Sequence, residues 1–565
     1  MKDIVILGAG TAGCLAANML SNKLDAKSWR MTIIDRADKH IYQPGLLFLP
    51  FKLYGYENED DVVRGIETPL PKHVNFVTAE IKLIDHEKKT VQTDKGDHKY
   101  DFLISTLGCR LAPEEIEGMD LNNGTYTFYS LEHAMRLQKA LAEMEGGRLV
   151  VDIADVPIKC PVAPIEFVFL ADYYFELRGI RDKVDITLVT PYDGAFTKPN
   201  ASRILSKTAE EKGINIVSNF ALERVDSEAK TIHSYDGQSV EYDLLCAIPP
   251  NLGPQVLDDS GLGDGTGYAL TDPRTLKSRK ADFIYMMGDN TNVSASKAGS
   301  VAHFEAETVV GNLLREMAGE KPLPSFDGHA NCFIETGHHK AMLIDFNYDM
   351  EPLTGDFPLP YVGPFSLLEE SYVNHVGKIA FKWVYWNMLV KGYLPNVPLL
   401  PSHMNFLGKD LETAPQIRNA TKIKVGEVMQ KEVVTIRQGS ALKEAAEVMT
   451  KNKVSGLPVV DVDDRLIGIV TEADFLSALD IHGGSAIQDL FDTVIRRNRR
   501  KKKMGTIVDD IMTPDPLTVT DDDTLQRALE VMDKNGIKRL IIVDEGKKVQ
   551  GVISRADLIK LYTMR

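Results

Sequence analysis

Two α/β dinucleotide-type halves followed by a smaller, duplicated α/β tail are what this sequence predicts, on three observations. A buried-strand pattern runs straight into a glycine-rich turn at residues 4–13. A second strand–helix–strand series occupies 148–250, and from Met429 onward the chain repeats itself at a constant offset of 83 residues. At 565 residues the chain is too long for one ordinary domain. Its 44% hydrophobic and 26% charged residues are those of a globular protein. A net charge of −16 argues against a general nucleic-acid binder, because the chain as a whole does not neutralise phosphate. Five cysteines make no disulfide framework, so each is weighed singly. The opening "MKDIVILGAG" lacks the pattern of a secretory leader, and no stretch reaches the roughly 18 apolar residues of a spanning helix. The expected location is cytoplasmic, with peripheral association at the cytoplasmic membrane.

"DIVILGAGTAGCLAANML" reads as a buried parallel strand, a tight turn and an Ala/Leu-rich helix. Gly8, Gly10 and Gly13 fit G-x-G-x-x-G. The first glycine allows the turn, the second admits the pyrophosphate to the backbone, and the third lets helix pack on strand. The helix N-terminus then stabilises the anion. The next strand, "MTIID", ends in Asp35, a carboxylate placed to accept from a ribose hydroxyl. Cys14, just inside the helix, reads as a small packing residue.

The strand "DFLISTLGCRL" ends in Ser105-Thr106-Leu107-Gly108, and "ADFIYMMGDNTNV" ends in Gly288-Asp289. These segments resemble the A-T-G and G-D motifs of flavoproteins built from two dinucleotide folds. The resemblance implies FAD, with Thr11, Ala12, Ile81, Thr106, Gly108, Gly288, Asp289, Lys297 and Gly299 as further cofactor-binding residues.

The second half repeats the pattern through "RLVVD", a helix, "VDITLVT", "GINIVS" and "YDLLCAIPP". Its first turn, "DIADVPIKCPVAP", has no glycine, so the backbone cannot close on a pyrophosphate and a nicotinamide cofactor is not expected there. The turn carries Cys160 instead. Cys246, within "LLCAI", reads as core.

"CPVAPIE" at Cys160, "FTKPNASRILSK" at 196–207, "IPP" at 248–250, "ASKAG" at 295–299 and "NCFIETGHHKAMLIDFNY" at 331–348 together resemble sulfide:quinone oxidoreductases and the related flavocytochrome c sulfide dehydrogenases. The resemblance covers about residues 1–405, with the second Rossmann-like fold at about 147–280 and a membrane and quinone end at about 360–400. It implies two Rossmann-like domains of the disulfide-oxidoreductase flavoprotein class, with Cys160 and Cys332 as a redox-active pair over the flavin. Sulfide attack on such a disulfide leaves a persulfide on one cysteine and a thiolate on the other. Which cysteine then reduces the flavin stays open. Glu166 is either a proton acceptor near that chemistry or a carboxylate complementing its helix dipole. Lys297 matches a lysine that the family places near the flavin pyrimidine; the bland alternative is a surface lysine. Many family members carry a third cysteine near the helix after the A-T-G region, but "GTYTFYSLEHAMRL" has none, and Cys109 lies on the strand end instead.

"SYVNHVGKIAFKWVYWNMLVKGYLP" at 371–395 sets Tyr372, Val376, Ile379, Trp383, Trp386 and Val390 on one helical stripe, with Lys378 and Lys382 beside it. Such a helix suits the headgroup boundary of a membrane. Phe381, Tyr385 and Leu389 fall off the stripe, which also fits a packed helix or a dimer interface. Phe346 and "YVGPFSLL" at 361–368 are candidates for a quinone channel, and C-x-x-C-H is absent, so quinone is favoured over a cytochrome as acceptor.

After a polar linker at 406–424, "VMQKEVVTI" returns as "IMTPDPLTV", "LPVVD" as "LIIVD" and "GIVTEADFL" as "GVISRADLI". Two copies, at about 425–480 and 508–565 within 425–565, resemble a CBS-domain pair. That resemblance implies ribose contacts at Thr471/Asp474 and Ser554/Asp557, an adenosine ligand (AMP, ATP or S-adenosylmethionine) and a homodimer formed through the pair. A helix N-cap is the plainer role for the same residues. "RRNRRKKK" at 496–503 reads as a solvated loop, or as a contact for nucleotide phosphate or anionic lipid.

The expectation as a whole is an FAD enzyme that oxidises sulfide to sulfane sulfur with membrane quinone as acceptor, modulated through its CBS pair, with no metal. The alternatives are an NADH:quinone-type flavin reductase and a non-catalytic redox or nucleotide sensor.

Overall fold

Runs of Ile, Val and Leu without polar alternation form strands buried on both faces, and buried strands of this kind assemble in parallel. In the computed structural model five such strands make the first sheet, in the spatial order Ile284–Met286, Phe102–Ser105, Lys2–Leu7, Trp29–Asp35 and Asn75–Thr78, all parallel. The second sheet repeats this plan with Thr125–Tyr126, Leu244–Ile248, Gly147–Ile153, Val184–Val189 and Asn215–Val217. Each half also inserts a three-stranded antiparallel sheet, Ile81–Lys99 in the first and Leu222–Glu241 in the second. Such a duplicated excursion is not visible as periodicity in the sequence.

The described residues are 1–359, 363–392, 409–410, 424–431, 433–452, 454, 456–471, 474–475, 507–524, 527–528, 531–532 and 539–554. Asp557, the Ser554 side chain, "RRNRRKKK", Tyr361 and Val362, and nearly all of the 406–424 segment lie outside them. The chain divides into two compact units, Met1–Gln416 and Ile417–Arg565.

A third sheet follows the two Rossmann-like folds, and it positions the site. Its hairpin, Ala330–Gly337 and Lys340–Phe346, is antiparallel, with Ala330–Gly337 as the edge strand. Two helices pack against that edge strand, Ala163–Leu177 and Tyr372–Val384. Close approach is needed on both sides. A Cβ on Gly337 would come within 2.7 Å of Tyr173 Cβ, and one on Gly377 within 2.8 Å of the Phe333 ring. The helix Tyr372–Val384 is capped at Ser371, whose hydroxyl accepts from the Asn374 N–H at 3.1 Å.

In the second unit each copy completes the other. Thr513–Pro514 pairs with the first copy's strand Leu466–Thr471, while Gln430 exchanges backbone hydrogen bonds with Val552 of the second copy. The pseudo-symmetry reaches single atoms: a Cβ on Gly468 would come within 2.4 Å of Met512 Sδ, and one on Gly551 within 2.4 Å of Met429 Sδ. The Thr471 N–H and hydroxyl both donate to Asp474 Oδ2, at 2.9 and 2.7 Å. Among the described residues Thr471 and Asp474 therefore form a local cap. No described helix is long and apolar enough to cross a membrane.

Candidate active site

The first helix starts at Thr11, with Gly10 as its N-cap and no acidic residue in its first turn. Gly8 has φ +92°, and a Cβ there would lie 2.5 Å from the Thr106 carbonyl oxygen. A Cβ on Gly13 would lie 1.9 Å from the Gly8 carbonyl oxygen, whereas one on Gly10 would meet nothing within 4 Å. Two glycines thus close the strand–helix turn and the third opens it to a cavity. Thr106 ties the turn together by donating to the carbonyls of Leu7 and Gly8, both at 2.8 Å. Asp35, at the end of the next strand, accepts from the Ala9 N–H at 2.7 Å.

Gly10, Thr11, Ala12, Thr106, Gly108, Gly288, Asp289, Lys297 and Gly299 all line one cavity. Burial raises the Asp289 carboxyl, opposed by Lys297 and Lys159. Burial likewise lowers the Lys297 ammonium, opposed by Asp289. Lys297 is 7% exposed and donates to the Thr291 carbonyl at 2.6 Å, so the surface-lysine alternative is excluded. Open glycine backbone, a free helix N-terminus and a buried cation fit an anionic dinucleotide with an electron-poor ring. Ile81 does not join them; it opens a strand of the antiparallel insertion and packs with Val77 and Leu107 in a separate core.

Cys160 and Cys332 meet at the wall of the same cavity. Cys160 sits in the glycine-free turn with φ +49°, a left-handed conformation uncommon for a side chain of its size. The turn is held from three sides. The Cys160 N–H donates to the Lys297 carbonyl at 2.6 Å, and its own carbonyl accepts from the Ala163 N–H at 2.9 Å and the Tyr129 hydroxyl at 3.3 Å. A helix N–H that a pyrophosphate would use is thus already bonded to the cysteine backbone. Below the turn, Asp152 is fully buried with no hydrogen-bond partner on either carboxylate oxygen, and burial pushes its pKa up to about 8.

Each thiol acts on the other, and the interaction raises Cys160 and lowers Cys332. The Lys378 ammonium assists at Cys332. Lys378 Nζ lies 2.7 Å from Glu166 Oε1 and donates to the Phe333 carbonyl at 2.9 Å. Burial works against the charge of Lys378, but Glu166 and the cysteine sulfurs outweigh it and raise the ammonium. Burial also raises Glu166, which is 1% exposed, with Lys378 opposing.

Several placements differ from those the sequence predicts. Lys378 turns inward to the cysteine pair instead of flanking a membrane stripe. The stripe itself is broken. Tyr372, Val376 and Trp383 are exposed, but Trp386 and Val390 are core, because a π-type turn at Tyr385–Leu389 rotates the later side chains. Trp386 packs edge-on to His40 with centroids 5.4 Å apart, and the Tyr385 hydroxyl reaches Thr11 Oγ1 at 2.7 Å. Phe346 lines a small second pocket behind the cysteines with Phe196, not the main cavity. Cys109 does not line the cavity with the pair; its thiol faces Asn251 and burial pushes it up to about 12. Cys14 and Cys246 are fully buried packing residues. Glu335 and His375 stand out by no motif in the sequence, although "ETGHH" closely follows the second cysteine.

The family description "pyridine nucleotide-disulphide oxidoreductase" matches residues 2–306, and "CBS domain" matches 425–481 and 508–563. The chain is 29% identical over 405 residues to a mitochondrial sulfide:quinone oxidoreductase of Dictyostelium discoideum, covering 69% of this chain and 86% of that one. It is 25% identical over 403 residues to the mitochondrial sulfide:quinone oxidoreductase of Mus musculus, covering 69% and 87%. Its fold is similar to the crystal structure of the Aquifex aeolicus sulfide:quinone oxidoreductase, with TM-score 0.58 at 20% identity, over 70% of this chain and 93% of that one.

Proposed function

Because this chain belongs to the pyridine nucleotide-disulphide oxidoreductase family and is an FAD-dependent oxidoreductase with a C-terminal CBS pair, we propose that it oxidises sulfide to sulfane sulfur through Cys160 and Cys332 and passes the electrons to quinone at a membrane surface. The single observation that supports this most is the placing of both cysteines on the wall of the dinucleotide cavity, one member lowered towards thiolate. When bound, FAD supplies a two-electron acceptor.

Gly8, Gly10 and Gly13 would shape its cradle, the helix N-terminus at Thr11 would take its phosphates, and Asp35 would hold its ribose. Lys297, buried beside the cavity, favours negative charge on the ring when it is reduced. In the oxidised form of the pair, where the two thiols are joined as a disulfide, attack by HS⁻ breaks the Cys160–Cys332 bond, forms a persulfide on one sulfur and leaves the other as thiolate. Lys378 holds that thiolate's charge, and Glu166 receives a proton. Exposed Tyr372, Val376 and Trp383 form the face turned to lipid.

The absent glycine fingerprint in the second fold disfavours the NADH:quinone alternative. Through the CBS pair, Thr471 and Asp474 are proposed to contact the ribose of an adenosine ligand that modulates turnover, with dimerisation through the same unit. Isothermal titration of the full chain with AMP, ATP and S-adenosylmethionine tests that part; no heat from any of the three removes it.

Anaerobic bleaching of the FAD-loaded protein tests the rest. Sulfide should bleach the flavin and NADH should not, decylubiquinone should restore it, and Cys160→Ala should abolish the sulfide response. Bleaching by NADH, or sulfide bleaching indifferent to Cys160, would leave a quinone reductase or a sensor.

A further inference from the structure

We propose that Glu335, His375 and His339 form the proton exit of the cysteine site, a hydrogen-bonded relay to solvent that answers to the charge on Glu166. The relay rests on the sulfide-oxidising function proposed above.

The edge strand Ala330–Gly337 carries both ends of the connection. Cys332 and Glu335 are three residues apart on a strand, so their side chains leave opposite faces. An edge strand also presents unpaired backbone groups along its free side. Here those groups are used: the Phe333 carbonyl accepts from Lys378, and the Glu335 N–H donates to Glu166 at 2.8 Å. The Lys378–Glu166 pair therefore wraps the strand edge and joins the cysteine face to the Glu335 face.

Beyond that edge the chain of contacts continues outward. Glu335 is 0% exposed and accepts from the Tyr54 hydroxyl at 3.0 Å. His375 Nδ1 lies 2.9 and 3.0 Å from its two carboxylate oxygens. His375 Nε2 lies 3.4 Å from His339 Nδ1, and His339 is exposed, with its Nε2 3.5 Å from the Tyr173 hydroxyl. The ring of Tyr54 stands edge-on to His375 at 4.9 Å and closes the relay on its other side.

The charged and titratable groups facing Glu335 are Glu166, Lys378 and Glu370, with Tyr54 and His375 in hydrogen-bond contact. Burial, and then the charge of Glu166, push Glu335 up to about 8. An acid in that range next to a histidine exchanges protons near neutral pH, which suits a relay and not a fixed ion pair.

The balance is complete. The two thiols must first be joined as a disulfide, their electron pair passing to FAD; HS⁻ then forms one S–S bond to a cysteine sulfur as the Cys160–Cys332 bond breaks, and the sulfide sulfur gives two electrons to the disulfide. The products are Cys–S–SH and Cys–S⁻. Ionisation of the persulfide releases one proton to Glu166; with the Glu166 charge gone, the push that keeps Glu335 protonated is relieved, and Glu335 gives up its own proton through His375 and His339 to water.

The test is anaerobic stopped-flow mixing of the FAD-loaded full chain with sulfide, following flavin bleaching and, with a pH-indicator dye, proton release. Glu335→Gln and His375→Ala should slow both together, by about 100-fold. Added imidazole should restore His375→Ala in a concentration-dependent way. FAD content and melting temperature report whether the variants fold. Parental rates in folded variants, or slowing that imidazole leaves untouched, overturn the relay while the sulfide function stands. Wild-type protein that sulfide does not bleach removes the function and the relay with it.

Discussion

Lys378 Nζ lies 2.7 Å from Glu166 Oε1, with the two side chains 12% and 1% exposed. Taking two charges out of water is costly, and a buried pair is tolerated when further hydrogen bonds satisfy it. The backbone of the edge strand supplies them, at the Phe333 carbonyl and the Glu335 N–H. The pair thus holds the Lys378 ammonium against the two sulfurs at the wall of the cavity.

Removing that charge should raise the pKa of Cys332. In Lys378→Met the thiolate loses its counter-charge, and a rise of one unit means about tenfold less thiolate at neutral pH. Iodoacetamide labelling of Cys332, read by peptide mass spectrometry, should slow by about that factor at pH 7. Lys378→Arg should retain much of the parental rate.

The three fingerprint glycines should separate into two effects. Gly13→Ala drives a Cβ to 1.9 Å from the Gly8 carbonyl oxygen and should destabilise the protein by about 1–3 kcal/mol. Gly10→Ala meets nothing within 4 Å and should leave the melting temperature of the cofactor-free protein unchanged, while lowering FAD retention after gel filtration.

Asp152 should make stability pH-dependent. Its pKa rises from the ordinary 3.8 to about 8 in the folded chain, so the native state binds its proton more tightly than the unfolded state. Stability from this group is fully present below about pH 4 and is lost as pH rises towards 8. Asp152→Asn cannot ionise. Its melting temperature relative to the parent should therefore improve steadily over that interval and level off above it.

The tryptophans of the helix Tyr372–Val384 and of the π-type turn that follows it should behave differently. Trp383 is 63% exposed and Trp386 is 8% exposed. Trp383→Ala should weaken sedimentation with anionic lipid vesicles without changing thermal stability. Trp386→Ala removes a core ring and should cost about 3–5 kcal/mol.

Local pattern carried the two Rossmann-like folds, the dinucleotide cradle and the duplicated tail. Glycine spacing, continuous apolar strands and a constant repeat offset are properties of neighbouring residues, and backbone geometry follows from them directly. Cys160 was legible for the same reason, because a missing glycine fingerprint is itself a local signal.

What tertiary structure alone decided was the company those residues keep. Lys378 lies more than 200 residues from Cys160 and reads as one more lysine on an amphipathic helix; close packing of its helix on the edge strand at Gly377 and its bonds to Glu166 and the Phe333 carbonyl hold it at the sulfurs instead. Glu335 and His375 acquire their roles from an edge strand whose free backbone groups had to be satisfied when two helices covered it. Trp386 left the predicted membrane stripe because a single wider turn rotates every later side chain. Pattern specifies which faces are apolar, but the direction a buried charge takes is set by whichever partners can offset its desolvation, and those come from distant parts of the chain.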